Sequence, residues 1–178
     1  MTLFVLTACG VPQDPQARAL DPSAAPYQAV TRERTAPPTG TFRIVVFLVR
    51  DGALLPVPRR VPSSPTPEQV LTALAAGPTA AEKANGVITV LPLDGDIMLT
   101  GLRETVATVS VPTAADTSAR SDAVLGFGQV VLSLTALSTV DGVLFEQDGQ
   151  PLQVPRADGS LSTGPLKRLD FRELIDPG

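Results

Sequence analysis

Between Ala123 and Val154 the apolar pattern changes period, and this change constrains the fold more than any other feature of the chain. At about 100° per residue, Val124, Phe127, Val130, Val131, Leu134 and Leu137 share one helix face. Leu125, Leu132 and Ala136 flank it, and Gln129 and Ser133 fall opposite. So wide an apolar arc predicts a helix covered on more than one side. Gly126 and Gly128 lie inside it, and each costs about 1 kcal/mol relative to Ala in a helix. Either the helix begins after them or another backbone packs close there. After Ser138 and Thr139 the period becomes two, so that Val143 and Phe145 face the helix and Leu144 and Glu146 face away. Asp148-Gly149 supplies a type I′ hairpin turn, which needs φ > 0 at both central residues, and a second strand returns to Val154.

Upstream, strands and helices follow one another. Phe42 to Val49 is apolar almost throughout, as in a central strand covered on both faces. Asp51-Gly52 is a hairpin signal. Ala53 to Val61 returns as an edge strand, because Pro56 and Pro58 lack N–H donors and Arg59 and Arg60 discourage further pairing. Ser64 to Ala76 reads as a helix with Thr66 as N-cap, Pro67 at its first position and Glu68 in its first turn; Val70, Leu71 and Leu74 face the sheet. Gly77-Pro78 ends it. Thr79 to Asn85 begins a short helix with a Thr79–Glu82 capping box, closed by Gly86. Val87–Leu91 and Asp96–Leu102 read as strands joined through Asp94-Gly95. In Thr105–Val111, Ala107, Val109 and Val111 point inward. Pro112–Asp122 is a polar loop, Asp158–Pro165 is turn-like, and Leu166–Ile175 adds a short strand or helical turn. The sum is an α+β fold, with two main helices packed on one face of a mixed, mostly antiparallel sheet. Val70–Leu74 and Val131–Leu137 echo each other faintly, which shared composition explains more simply than duplication does.

Reactive chemistry is sparse. The chain has no histidine and a single cysteine, Cys9, which rules out a disulfide framework within the chain and zinc sites built on Cys or His. Net charge is −4 with both signs scattered, which gives no footprint for nucleic acid. Five aspartates (51, 94, 141, 148 and 158) precede glycine, a placement that turn geometry explains. Asp94-Gly95-Asp96 continues as Ile97-Met98-Leu99 and lacks the remaining oxygen ligands of a calcium loop. Ser63, Ser64, Ser118 and Ser121 have no histidine to activate them, and no Ser-x-x-Lys or glycine-rich phosphate loop is present. A carboxylate pair for glycoside hydrolysis leaves no sequence signature, and nothing points to one. The expectation is a protein without catalytic residues, metal or cofactor.

The amino terminus carries an address. Leu3 to Leu6 is an apolar run followed by Leu6-Thr7-Ala8-Cys9, which resembles the bacterial lipobox. The resemblance implies cleavage between Ala8 and Cys9 and a diacylglycerol on Cys9, the one site residue assigned here. Two or more acyl chains hold a protein stably at a bilayer, at about 0.8 kcal/mol per buried CH₂. The run lacks a basic start and is at the short limit of a signal peptide, so the expected start codon lies upstream. It falls well below the ~20 apolar residues of a transmembrane helix. Val11 to Gly40 holds six prolines among Ala, Gln, Ser and Thr and reads as a tether, about 90 Å long if fully extended and nearer 30 Å as a coil. About 138 residues follow Gly40, enough for one domain burying roughly two-thirds of its unfolded surface. The boundaries are a signal peptide at 1–8, lipidated cysteine and tether at 9–41, an α/β domain at 42–156 and an extension at 157–178.

Two segments carry a family resemblance. Leu74-Ala75-Ala76-Gly77-Pro78-Thr79-Ala80-Ala81-Glu82, then Gly86, resembles the first helix and following turn of GerMN domains, also called sporulation and spore germination domains. Gln129 to Leu137, followed by Gly142-Val143, Phe145, Asp148-Gly149 and Leu152, resembles their second helix and closing hairpin. Gly126-Phe127-Gly128 departs from the pattern. The resemblance covers residues 42 to 156 and implies a fold similar to ring-building modules, with no catalytic residues, often in lipoproteins of Gram-positive bacteria. The resulting expectation is a lipoprotein on the extracytoplasmic face of the cell membrane, whose domain is a non-catalytic interaction or assembly module with protein partners; self-association stays open. The alternatives are an envelope carrier or sensor of a small ligand and a carboxylate hydrolase. A carrier predicts an apolar cavity of a few hundred Å³, and a hydrolase two carboxylates within about 10 Å in a cleft.

Overall fold

A computed structural model describes residues 40–91, 97–112 and 120–176. The fold class is the α+β arrangement expected. β1 (Phe42–Arg50) and β2 (Ala53–Val61) form a hairpin closed by Asp51 and Gly52, both at positive φ (52° and 77°). The turn closes on the Arg50–Ala53 pair, so Val45 and Phe47, opposite Pro58 and Pro56, occupy non-hydrogen-bonded positions toward β2. The missing proline N–H groups would therefore have pointed outward, which is why the edge tolerates them. Val46 and Leu48 on one face of β1, and Phe47 and Val49 on the other, are all buried.

α1 (Pro67–Ala75) has the predicted caps: Thr66 and Gln69 form a reciprocal box, and Val70, Leu71 and Leu74 are buried. The helix begins at Pro67 rather than Ser64. Gly77 takes φ 64° after it, and α2 (Ala80–Ala84) follows with the Thr79–Glu82 box in place. β3 (Met98–Arg103) and β4 (Val106–Ser110) are antiparallel, with a bulge between Leu99 and Gly101. β4 then runs parallel to β5 (Gly142–Gln147), which is the crossover that α3 (Arg120–Leu134) makes. Asp148 and Gly149, at φ 51° and 75°, turn β5 into the two-residue β6 (Gln150–Pro151). The return strand expected to reach Val154 is thus brief; Leu152 donates to Phe145 O at 2.9 Å, and β7 (Val154–Pro155) pairs instead with β8 (Leu161–Ser162).

Four further expectations are corrected. Val87–Leu91 is not a strand; only Ile88 pairs, with Val49. The helix read from Ala123 onward starts earlier, at Arg120, and passes straight through both glycines. Side chains, not a backbone, approach at Gly128: a Cβ there would lie 2.8 Å from Leu54 Cδ1 and 3.1 Å from Phe171 Cδ1. Asp141-Gly142 is not a left-handed turn, because Gly142 opens β5, where a Cβ would meet Pro165 Cβ at 3.2 Å.

Residues beyond 156 are built into the same core. Leu166 and Val143 exchange backbone hydrogen bonds at 2.8 and 2.9 Å. A 3₁₀ helix (Arg168–Leu174) buries Phe171 completely against Gly128 and Leu54. Asp176 closes the strap through Leu54 O (3.0 Å) and the Arg50 guanidinium (2.9 Å). Ala107, Val109, Val143 and Phe145 from β4 and β5 complete the core, and Phe127 meets Phe145 edge-on at 4.9 Å.

Candidate interaction surface

The polar side chains with the most definite geometry point inward. Gln129 and Ser133, opposite the main apolar face of α3, are fully buried. Val49 and Ile88 exchange both backbone bonds, and the next hydrogen-bonded pair of such an antiparallel ladder would join Phe47 to Val90. Gln129 stands between those two. Its Nε2 donates to Phe47 O (3.0 Å), and its Oε1 accepts from Val90 N (3.1 Å). Ser133 Oγ accepts from Phe47 N (2.8 Å) and donates to Gln129 O (2.6 Å). The helix thus supplies with side chains the edge bonds a strand would have made, which leaves no buried β1 amide at Phe47 unpaired. This explains why Val87–Leu91, though β-branched and apolar, peels away after one pair. One signal in the sequence points to it: a helix apolar on nearly all sides is covered on nearly all sides, its Gln and Ser included.

The Gly77-Pro78-Thr79 motif is also structural. Glu82 caps the Thr79 amide (2.8 Å) and takes two bonds from Arg59 of β2, both 2.7 Å. The Arg59 guanidinium, with the Thr79 amide, holds the Glu82 carboxyl below its ordinary range against the opposing effect of partial burial. Arg59, read as a free edge charge, is therefore committed. Ser63 Oγ accepts from Gln69 Nε2 (2.6 Å). Among the described residues no group of His, Cys, Asp and Glu could hold a metal ion. Cys9 and the Asp94-Gly95-Asp96 segment lie outside them.

The outer surface carries most of the charged side chains, with a few large apolar ones among them. An open groove of about 390 Å³ runs between the Gly77-Pro78 turn, Lys83 and the segment Val87–Thr89. Ile88, in its wall, is 53% exposed; Met98, Leu102, Leu161 and Leu169 are exposed elsewhere. No described helix is long and apolar enough to cross a membrane.

The family model for sporulation and spore germination, Germane, matches residues 18–153, well over half of the chain. The chain belongs to the Germane family. Two solved structures share the fold of this Germane domain: the tandem GerMN domains of the sporulation protein GerM from Bacillus subtilis (TM-score 0.58, 20% identity, 73% of this chain and 47% of that one), and the first GerMN domain of that protein (TM-score 0.57, 19% identity, 72% and 99%). The chain therefore spans about half the length of the tandem-domain chain. No curated protein matches it. The Germane match ends at 153, before Leu166 and Phe171, so part of the packed core lies beyond the matched segment.

Proposed function

We propose that this Germane protein is an envelope lipoprotein, held at the extracytoplasmic face of the cell membrane by acyl chains on Cys9, and that its domain is a non-catalytic interaction or assembly module. One observation carries the reading: the convergent polar groups, Gln129, Ser133, Arg59 and Glu82, each bind another part of the same chain, while an apolar groove with exposed Ile88 in its wall opens outward. Buried polar networks satisfied in this way stiffen a scaffold, and an apolar groove, rather than scattered single side chains, is the surface feature that marks contact. The carrier reading finds support in the volume of the groove, but the exposure of Ile88 makes it a trough that leaves a small ligand half in water.

The test is photo-crosslinking in intact cells from Ile88, Met98 and Leu161, one position at a time. The module reading predicts a discrete protein adduct from at least one position. Three empty positions, or turnover of a cell-wall glycan by the purified protein, would overturn it.

A further inference from the structure

We propose that the outer edge of residues 87–89, with the groove beside it, takes an extended acidic peptide segment of a protein partner as an added strand; this rests on the interaction-module reading above. The backbone supplies the first argument. Ile88 gives both of its backbone bonds to Val49 (2.9 and 2.8 Å), and Val90 N–H turns the same way, to Gln129 (3.1 Å). Alternation along an extended segment sends the groups of Val87 and Thr89 to the opposite edge. Val87 N–H is used by Glu82 O (3.0 Å). The Val87 carbonyl and the Thr89 N–H and carbonyl have no hydrogen-bond partner among the described residues.

Three other strand edges are blunted by proline or a bulge. β2 carries Pro56 and Pro58, β6 carries Pro151, and β3 is broken by its bulge; each is a device that stops a strand from adding. Residues 87–89 carry neither a proline nor a bulge, although the segment pairs at Ile88 alone. The groove lies alongside, with exposed Ile88 offering apolar contact to alternate side chains of an incoming strand. Its charge selects the guest. Lys83 lines the groove and has no carboxylate within ion-pair distance among the described residues, because neighbouring Glu82 is held by Arg59. A carboxylate on the added strand is the complement.

The experiment pans a phage-displayed random peptide library against the full-length chain in detergent, then measures one enriched peptide by fluorescence anisotropy and amide exchange. Enrichment of sequences that alternate apolar residues with Asp or Glu is expected. Lys83→Glu, at an exposed position, should raise the Kd at least tenfold, Lys167→Glu should leave it unchanged, and Thr89 N–H exchange should slow at least tenfold on binding. No enrichment, equal binding by Lys83→Glu, or an unprotected Thr89 amide would each overturn the proposal. Cellular adducts from Met98 or Leu161 with none from Ile88 would overturn the groove alone; none from any of the three would remove the module reading as well.

Discussion

Replacing Gln129 with Leu keeps a side chain of similar size and removes only the carboxamide. In the wild type that carboxamide joins a buried carbonyl, Phe47 O at 3.0 Å, to a part-buried amide, Val90 N at 3.1 Å. Without it the Phe47 carbonyl has no partner and no access to water, at a cost of about 1–3 kcal/mol. The Val90 amide loses less, about 1 kcal/mol, since water can reach it. Burying Leu in place of an amide offsets roughly 1 kcal/mol. The net is about 2 kcal/mol, or a fall in Tm of about 4–8 °C for a chain of this size. Urea unfolding of the variant beside Gln147→Leu is the assay. Gln147 makes one bond to Pro112 O at 3.3 Å, and its replacement should shift stability by less than about 0.5 kcal/mol. Exchange at the Val90 amide should also quicken. If Gln129→Leu matched the wild type or exceeded it, the helix would not be completing the β1 edge.

The two helix glycines should behave in opposite ways. Gly126→Ala has ordinary room, its nearest neighbour being Val90 Cγ2 at 3.7 Å, and should stabilise by up to about 1 kcal/mol. Gly128→Ala would drive a methyl to 2.8 Å from Leu54 Cδ1 and should destabilise by about 1–2 kcal/mol net; thermal melting separates them. Phe171→Ala should remove about 3–5 kcal/mol, seen as a lower urea midpoint, and deletion of residues 157–178 should abolish the cooperative transition. The Glu82 carboxyl lies below its reference value of 4.5 when folded, chiefly through Arg59. Its contribution is therefore present above that value and lost as pH falls from about 4.5 through the folded pKa. Glu82→Gln should flatten the stability–pH curve over that interval.

Local chemistry was readable and distant chemistry was not. The Thr66 and Thr79 caps, the Gly77 stop and the Asp51-Gly52 and Asp148-Gly149 turns depend on neighbours within four residues, and all form as read. Gly128 depends on Phe171, far along the chain, so its reason could not be seen from the helix. Gln129 and Ser133 fall opposite the apolar face, and the helical period alone does not show what covers them; here β1 and the 87–91 segment bind them. The 87–91 run has strand composition, and composition cannot show whether a ladder closes. Of the candidate surface, Gly77-Pro78 was visible as a turn, while the groove beside it appears only once Ile88 returns to Val49.

The anchor is the claim on which the cellular reading turns, and the amino terminus itself decides it. Intact-mass and peptide mass spectrometry of the protein purified from cell membranes should find a chain beginning at Cys9 and carrying a thioether-linked diacylglyceryl group. A mature chain in which Cys9 is an unmodified thiol, with residues 1–8 still attached, would contradict the account.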